Sequence, residues 1–176
     1  MDDTGISKGV RAALARALMF EPVTARTAGD ALLAGLGGAL AIGVLALCAR
    51  AAVTPLIIAP FGASCVLLFA VPASPLAQPR NVIGGHILSS LVGLAALALL
   101  GPSPVAMAAG VGVAIAAMRL TGTLHPPAGA DPIVVVAAGA AWWFFAVPVA
   151  VGAVILVVCA VVYHRYVSGL AYPKLG

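Results

Sequence analysis

Pro60-Phe61-Gly62-Ala63-Ser64 and Pro127-Ala128-Gly129-Ala130-Asp131 are near-copies of one short pattern, and each lies in the middle of a long apolar stretch. Proline removes a backbone donor and glycine loosens the chain, so each copy should interrupt a helix. At membrane depth the freed N–H and C=O groups cannot be left to lipid, and such breaks are tolerated where protein or a cavity receives them. Two interrupted spans therefore point to an all-α bundle with a polar site or path inside it.

The surrounding composition supports the membrane setting. Of 176 residues 63% are hydrophobic and 8% charged, and mean hydropathy is +1.17. Soluble domains carry about a quarter charged residues. Cys48, Cys65 and Cys159 lie far apart in apolar runs without CxxC or Cys/His spacing, so they read as packing residues, and no metal or cofactor is expected. Residues 1–27 bring Lys8, Arg11, Arg16 and Arg26 but neither the unbroken apolar run nor the cleavage site of a signal peptide. Leu14, Ala17 and Leu18 could form one face of a short interfacial helix; a partly ordered leader that only orients the protein is the plainer alternative. The net charge of +4 suits anionic lipid headgroups, and nothing resembles a nucleic-acid module.

Six apolar segments follow: Ala28–Ala49, Ala52–Val71, Val82–Leu100, Pro104–Leu120, Thr121–Ala141 and Trp142–Tyr163. The second and fifth hold the breaks. If all six cross, eight of the nine Lys and Arg residues share one side and Arg50 stands alone on the other; if the broken pair dips in and returns, the split is six to three. The positive-inside rule favours six crossings with both termini cytoplasmic in a bacterial inner membrane. Trp142 and Trp143 then mark the outer interface, and Tyr163 and Tyr166 the inner one. Pro60 and Pro127 stand 67 residues apart, and the same offset lays the third segment on the sixth. A duplicated three-span unit follows, roughly residues 28–100 and 103–164, whose copies run oppositely because the span number is odd, with residues 167–176 as a tail. That is the inverted-repeat plan of many secondary transporters. Chance recurrence in a chain rich in Ala, Gly and Pro is the competing explanation.

Asp131 followed by Pro132 has the form of an N-cap with proline in the first turn, which predicts a half-helix over Ile133–Ala141. Ser64 holds the matching place before Cys65–Ala70. Two opposed half-helix N-termini, with the Gly62 and Gly129 backbones, would cradle a small anion; alternatively each cap serves only its own helix. A carboxyl group at the bilayer centre costs about 2.5–3.5 kcal/mol, which packing does not explain. Ionised, Asp131 needs His125, Arg80 or a cation as partner; protonated, it can carry a proton with substrate. His125, beside Thr123 in the expected unwound stretch, can donate to substrate or exchange a proton with Asp131, though a buried histidine bonded to a carbonyl is the plainer reading. Gln78-Pro79-Arg80-Asn81-Val82-Ile83-Gly84-Gly85-His86 opens the third span: Asn81 can cap it, Arg80 either suits planar oxyanions or simply marks the positive inner side, and His86 falls one turn inside, as part of a gate or as a satisfied interfacial histidine. Arg119 and His164 read as topology and interface residues. No HExxH or GxSxG pattern is present, so an intramembrane enzyme is not expected.

Thr121-Gly122-Thr123-Leu124-His125-Pro126-Pro127-Ala128-Gly129-Ala130, together with the Gln78–His86 stretch, resembles the HPP family of integral membrane proteins, named for its His-Pro-Pro motif, from about Arg26 to Tyr166. Members in cyanobacteria and chloroplasts are associated with nitrite transport, so the resemblance implies a small-anion transporter. Some bacterial members carry a C-terminal regulatory CBS region, which is not expected in this chain. The family is usually described with four spans, and the six-crossing expectation departs from that. The combined expectation is a transporter of a small monovalent oxyanion, nitrite or nitrate, acting as a homo-oligomer. Gly62, Ser64, Thr123, His125, Gly129 and Asp131 would form the site, with Arg80, Asn81 and His86 as a cytoplasmic gate. A passive anion channel and a non-transporting scaffold or sensor are the alternatives.

Overall fold

A computed structural model describes residues 25–174, so the expected N-terminal interfacial helix lies outside the described residues. Among these the ordered elements are all helical. Helix α1, Ala25–Ala52, is a run of Ala, Leu and Gly with no proline to stop it. Proline at the start and glycine at the end punctuate the next long pair. Pro79 opens α3, Pro79–Leu100, and Gly101 closes it at φ +68°; Ser103 caps α4, Pro104–Thr121, and Gly122 closes it at φ +67°. The last span runs Trp142–Ser168 and contains the regular helix α6, Val151–Tyr163, after a kink at Val147.

Among the described residues four helices are long and apolar enough to cross a membrane: Thr27–Ala52, Pro79–Leu100, Pro104–Thr121 and Trp142–Ser168. The expected second and fifth spans have shorter helical parts, Pro60–Ala70 and Pro126–Ala138, about 16 and 20 Å long against a hydrocarbon core of about 30 Å. Proline explains the difference, since the segment before each break is non-helical at Thr54–Ala59 and Thr123–His125. Helix α2, Pro60–Cys65, continues in a wider π-turn, Val66–Ala70. The other break is a tight turn, Pro126–Ala130, leading into α5, Asp131–Ala138, which Gly139 ends at φ +56° before the expected limit at Ala141.

Contacts fix how the ends meet. Helices α3 and α4 form an antiparallel hairpin in which Arg80 Nη2 donates to the Thr121 carbonyl at 2.9 Å. Tyr163 Oη at the end of α6 donates to Leu33 O near the start of α1 at 2.7 Å, and His164 bonds Leu68 O at 2.8 Å where the short second helix ends. The tail returns to the same end, where Tyr172 Oη donates to Ala77 O and the Lys174 N–H to Gln78 Oε1, both at 2.9 Å. The main apolar core, including Leu45, Phe61, Leu68, Phe69, Leu156 and Ala160, joins α1, α2 and α6. Large apolar side chains face outward around it, Leu99 at 82% and Leu120 at 89% exposure, as a lipid-facing surface requires.

Small residues set how closely α5 can approach. A methyl on Gly93 would lie 2.7 Å from Pro132 Cα, and one on Gly110 2.9 Å from Pro132 Cβ. Pro132 is therefore seated between α3 and α4 on two bare backbones. Its neighbour Asp131 is thereby held beside α3.

Candidate functional site

The polar residues of the two breaks converge on α3. Ser64, His86, Ser89, Ser90, His125 and Asp131 are all fully buried. From Ser90 the hydrogen bonds run in a line. Ser90 Oγ donates to Asp131 Oδ2 at 3.2 Å, and the same oxygen meets His86 Nδ1 at 2.9 Å. His86 Nε2 pairs with Ser64 Oγ at 2.8 Å, Ser64 Oγ with His125 Nε2 at 2.9 Å, and His125 Nδ1 with the Leu76 carbonyl at 2.8 Å. Beside this line Ser89 Oγ donates to Ala128 O at 2.6 Å, a carbonyl that also accepts the Asp131 backbone N–H. Asp131 Oδ1 has no hydrogen-bond partner among the described residues.

Local structure explains how each group arrives. His86, Ser89, Ser90 and Gly93 share one face of α3 by the three- and four-residue spacing of a helix. Gly85, one place before His86, lets the loop after α4 pass: a methyl there would lie 2.8 Å from both Thr123 O and His125 Cβ. Asn81 Nδ2 donates to Leu124 O at 2.9 Å and ties that loop to the start of α3. Phe61 closes one side, its ring edge-on to His86 at 5.1 Å between centroids, and the two imidazoles lie 5.0 Å apart.

Several expectations need correction. Asp131 is not an N-cap: the cap position is Ala130, Asp131 has helical φ/ψ as the first residue of α5, and its carboxylate turns to α3, where His86 and Ser90 bond it. Ser64 is likewise not at a half-helix N-terminus; Pro60 begins α2, and the Ser64 hydroxyl lies one turn later, 3.3 Å from Pro60 O. The ion-pair partner of Asp131 is His86 rather than His125, and His86 is buried among the central groups rather than standing at a mouth. Arg80 reaches Thr121, not Asp131, and Asn81 sits inside α3, whose cap position is Gln78.

The remaining expected site residues lie apart from the line. Thr123 is half-buried and its hydroxyl pairs with Thr121 Oγ1 at 2.8 Å. Gly62 is exposed, Gly129 half-buried, and both have open space where a side chain would go. Ser89 and Ser90, not singled out from sequence, were detectable in principle: they follow His86 at the spacing that shares a helix face. His164, expected as an interface residue, is fully buried and joined to Ser168 and Leu68 O. Among the described residues no group of three His, Cys, Asp or Glu side chains could hold a metal ion.

These features define an all-helical integral membrane protein with a hydrogen-bonded Asp–His–Ser–His line buried where two interrupted helices meet. Within that class, residues 23–173 match the family model described as HPP, transmembrane region, and the chain belongs to that family. Two transmembrane proteins of Dictyostelium discoideum are similar to it. One is 38% identical over 125 residues, covering 66% of this chain and 44% of that protein; the other is 36% identical over 128 residues, covering 68% and 41%. The chain thus spans less than half the length of the curated relatives it matches. No solved structure matches.

Proposed function

We propose that this protein transports a small monovalent oxyanion, nitrite or nitrate, with proton coupling, through a site at the Ser64–His86–His125–Asp131 line. The observation that carries the reading is the line itself: two histidines and one carboxylate, fully buried and hydrogen-bonded in series at the junction of both broken segments. Buried ionisable groups at membrane depth are costly and mark ion or proton paths more often than packing. Protonated imidazoles supply positive charge that a monovalent oxyanion neutralises, and Asp131 offsets their charge when the site is empty.

The six-crossing, inverted-repeat arrangement is part of this reading. The ends of α1 and α6 that meet at Tyr163–Leu33, the Leu68–His164 contact, and the α3 and α4 ends that meet at Arg80–Thr121 fit one alternation of crossings with both termini on one side. Each broken segment then completes its crossing with extended chain plus a short helix. Arg80 and Asn81, bonded to the loop that carries His125, act as the gate of the cytoplasmic mouth in a bacterial inner membrane. A homo-oligomer follows from the wide apolar, Gly-rich faces of so small a bundle.

The test is nitrite and nitrate uptake into proteoliposomes of the purified protein, against protein-free vesicles and the His125→Ala/Asp131→Ala double variant. Uptake above both controls supports the reading. Equal uptake by wild type and double variant removes the site; uptake that carries no protons replaces the carrier with a channel.

A further inference from the structure

Counting hydrogens along the buried line leads beyond proton coupling in general to a stoichiometry, and this step rests on the transport reading above. The Leu76 carbonyl only accepts, so His125 Nδ1 carries a hydrogen and donates to it. At the other end Asp131 Oδ2 and His86 Nδ1 share one hydrogen. Between them two ring nitrogens, His86 Nε2 and His125 Nε2, face the single hydroxyl of Ser64 at 2.8 and 2.9 Å. That hydroxyl has one hydrogen to give. With Asp131 ionised and both rings neutral, one ring nitrogen would confront the Ser64 oxygen with lone pair against lone pair. One added proton resolves this: one ring donates to Ser64 Oγ and Ser64 donates to the other ring. Every contact from Asp131 Oδ2 to the Leu76 carbonyl is then a hydrogen bond and the net charge is zero, with Asp131 Oδ1 alone left without a partner among the described residues. No Lys, Arg or further carboxylate hydrogen-bonds to it among the described residues; its titratable members are Asp131, His86 and His125.

A second arrangement also makes every one of these contacts a hydrogen bond. The Ser64 hydroxyl also lies 3.3 Å from Pro60 O. If its hydrogen turns to that carbonyl, the oxygen accepts from both rings, and the line holds one proton more and a net charge of +1. That charge in a low-dielectric interior is unfavourable alone and is neutralised by one monovalent anion. We infer that the site takes up one proton with each monovalent anion, and that Ser64 is the positioning residue that switches its hydroxyl from a histidine to Pro60 O as the anion loads. The balance is simple: the empty site has one shared proton and no net charge, and the loaded site has two protons, one anion and no net charge. The line ends at a backbone carbonyl beyond His125, so it stores protons without forming a wire across the membrane.

The experiment uses proteoliposomes of the full chain, with nitrite and nitrate as probes, protein-free vesicles subtracted, and the membrane potential set independently of the pH gradient by potassium and valinomycin. One proton per monovalent anion predicts accumulation rising about tenfold per pH unit of gradient, unchanged by the imposed potential. Ser64→Ala should lose pH-driven accumulation by at least about tenfold, and Ser64→Thr, which keeps the hydroxyl, should restore it. Accumulation that follows the potential, or a Ser64→Ala variant still driven by the pH gradient, overturns the one-to-one coupling while leaving transport standing. Absence of any flux of either anion overturns the transport reading and this stoichiometry with it.

Discussion

Gly93→Ala is the sharpest structural perturbation available, because the geometry fixes both its size and its reach. The added methyl would lie 2.7 Å from Pro132 Cα, 3.2 Å from Val135 Cβ and 3.3 Å from Pro132 Cβ. Carbon atoms rest at about 3.5–4.0 Å, so α5 must withdraw by about 1 Å, and backbone on both sides leaves no flexible side-chain tip to yield. Overpacking of this kind costs about 1–3 kcal/mol. The same withdrawal stretches the 2.9 Å bond from Asp131 to His86 past hydrogen-bond range, and a broken buried pair costs about 3–5 kcal/mol when no relaxation rescues it. A total near 2 kcal/mol or more is expected, a fall in Tm of about 4–8 °C or greater for a chain of this size. Thermal unfolding in detergent measures it. Gly112→Ala is the control, since nothing among the described residues lies within 4 Å of its methyl, and alanine there should leave Tm unchanged or raise it slightly. A Gly93→Ala melt within about 1 °C of the Gly112→Ala melt would refute the seating of Pro132 and the anchoring of Asp131 that depends on it.

Further outcomes are open to direct measurement. Asn81→Ala removes the bond to Leu124 O, should cost about 1–2 kcal/mol, and should slow flux more than Arg80→Gln, whose bond to Thr121 O is exposed; denaturant melts and uptake rates check both. Burial raises the Tyr172 hydroxyl above its ordinary pKa of 10.0. The folded state therefore holds this proton more tightly than the unfolded state, so the stability it contributes is complete below pH 10 and lost as pH rises further, by at most about 1.4 kcal/mol per unit. Wild type should consequently lose more stability than Tyr172→Phe between pH 9 and 11, read as the difference between their unfolding midpoints. Trp142 and Trp143 are the chain's two tryptophans, 58% and 56% exposed, so brominated-lipid quenching of intrinsic fluorescence should place both at the headgroup level; deep quenching would contradict the start assigned to the last span.

Much of the fold was legible because its signals are local. The limits expected at Leu100, Pro104 and Leu120 fall within one residue of those observed, hydropathy gives the long spans, and α3 begins at Pro79, three residues before the expected Val82, because proline there opens the helix. Breaks near Pro60 and Pro127 were also visible, since the penalty for proline in a helix needs no tertiary context, but the non-helical chain lies before the motifs, at Thr54–Ala59 and Thr123–His125, and Pro60–Ser64 is itself helical. What sequence did not reveal is which groups meet. Asp131-Pro132 reads as a cap until α3 presents His86 and Ser90, and tertiary partners then outweigh the local preference. His86 reads as one turn inside a mouth when only its distance from Pro79 is counted; the folding of both breaks onto its face places it centrally. The part played by Ser64 depends on two nitrogens from segments 22 and 61 residues away, a relation that no spacing rule in one chain encodes.

The central claim is that the buried Asp131–His86–Ser64–His125 line is where protons and a small oxyanion are handled together. Asp131→Asn keeps the shape of the side chain and removes its charge. The most direct test measures pH-gradient-driven nitrite and nitrate accumulation in proteoliposomes of wild type and Asp131→Asn at equal incorporation, with folding verified by thermal melts. The account predicts accumulation by wild type and a loss of at least about tenfold in the variant. Equal pH-driven accumulation by both proteins would contradict it.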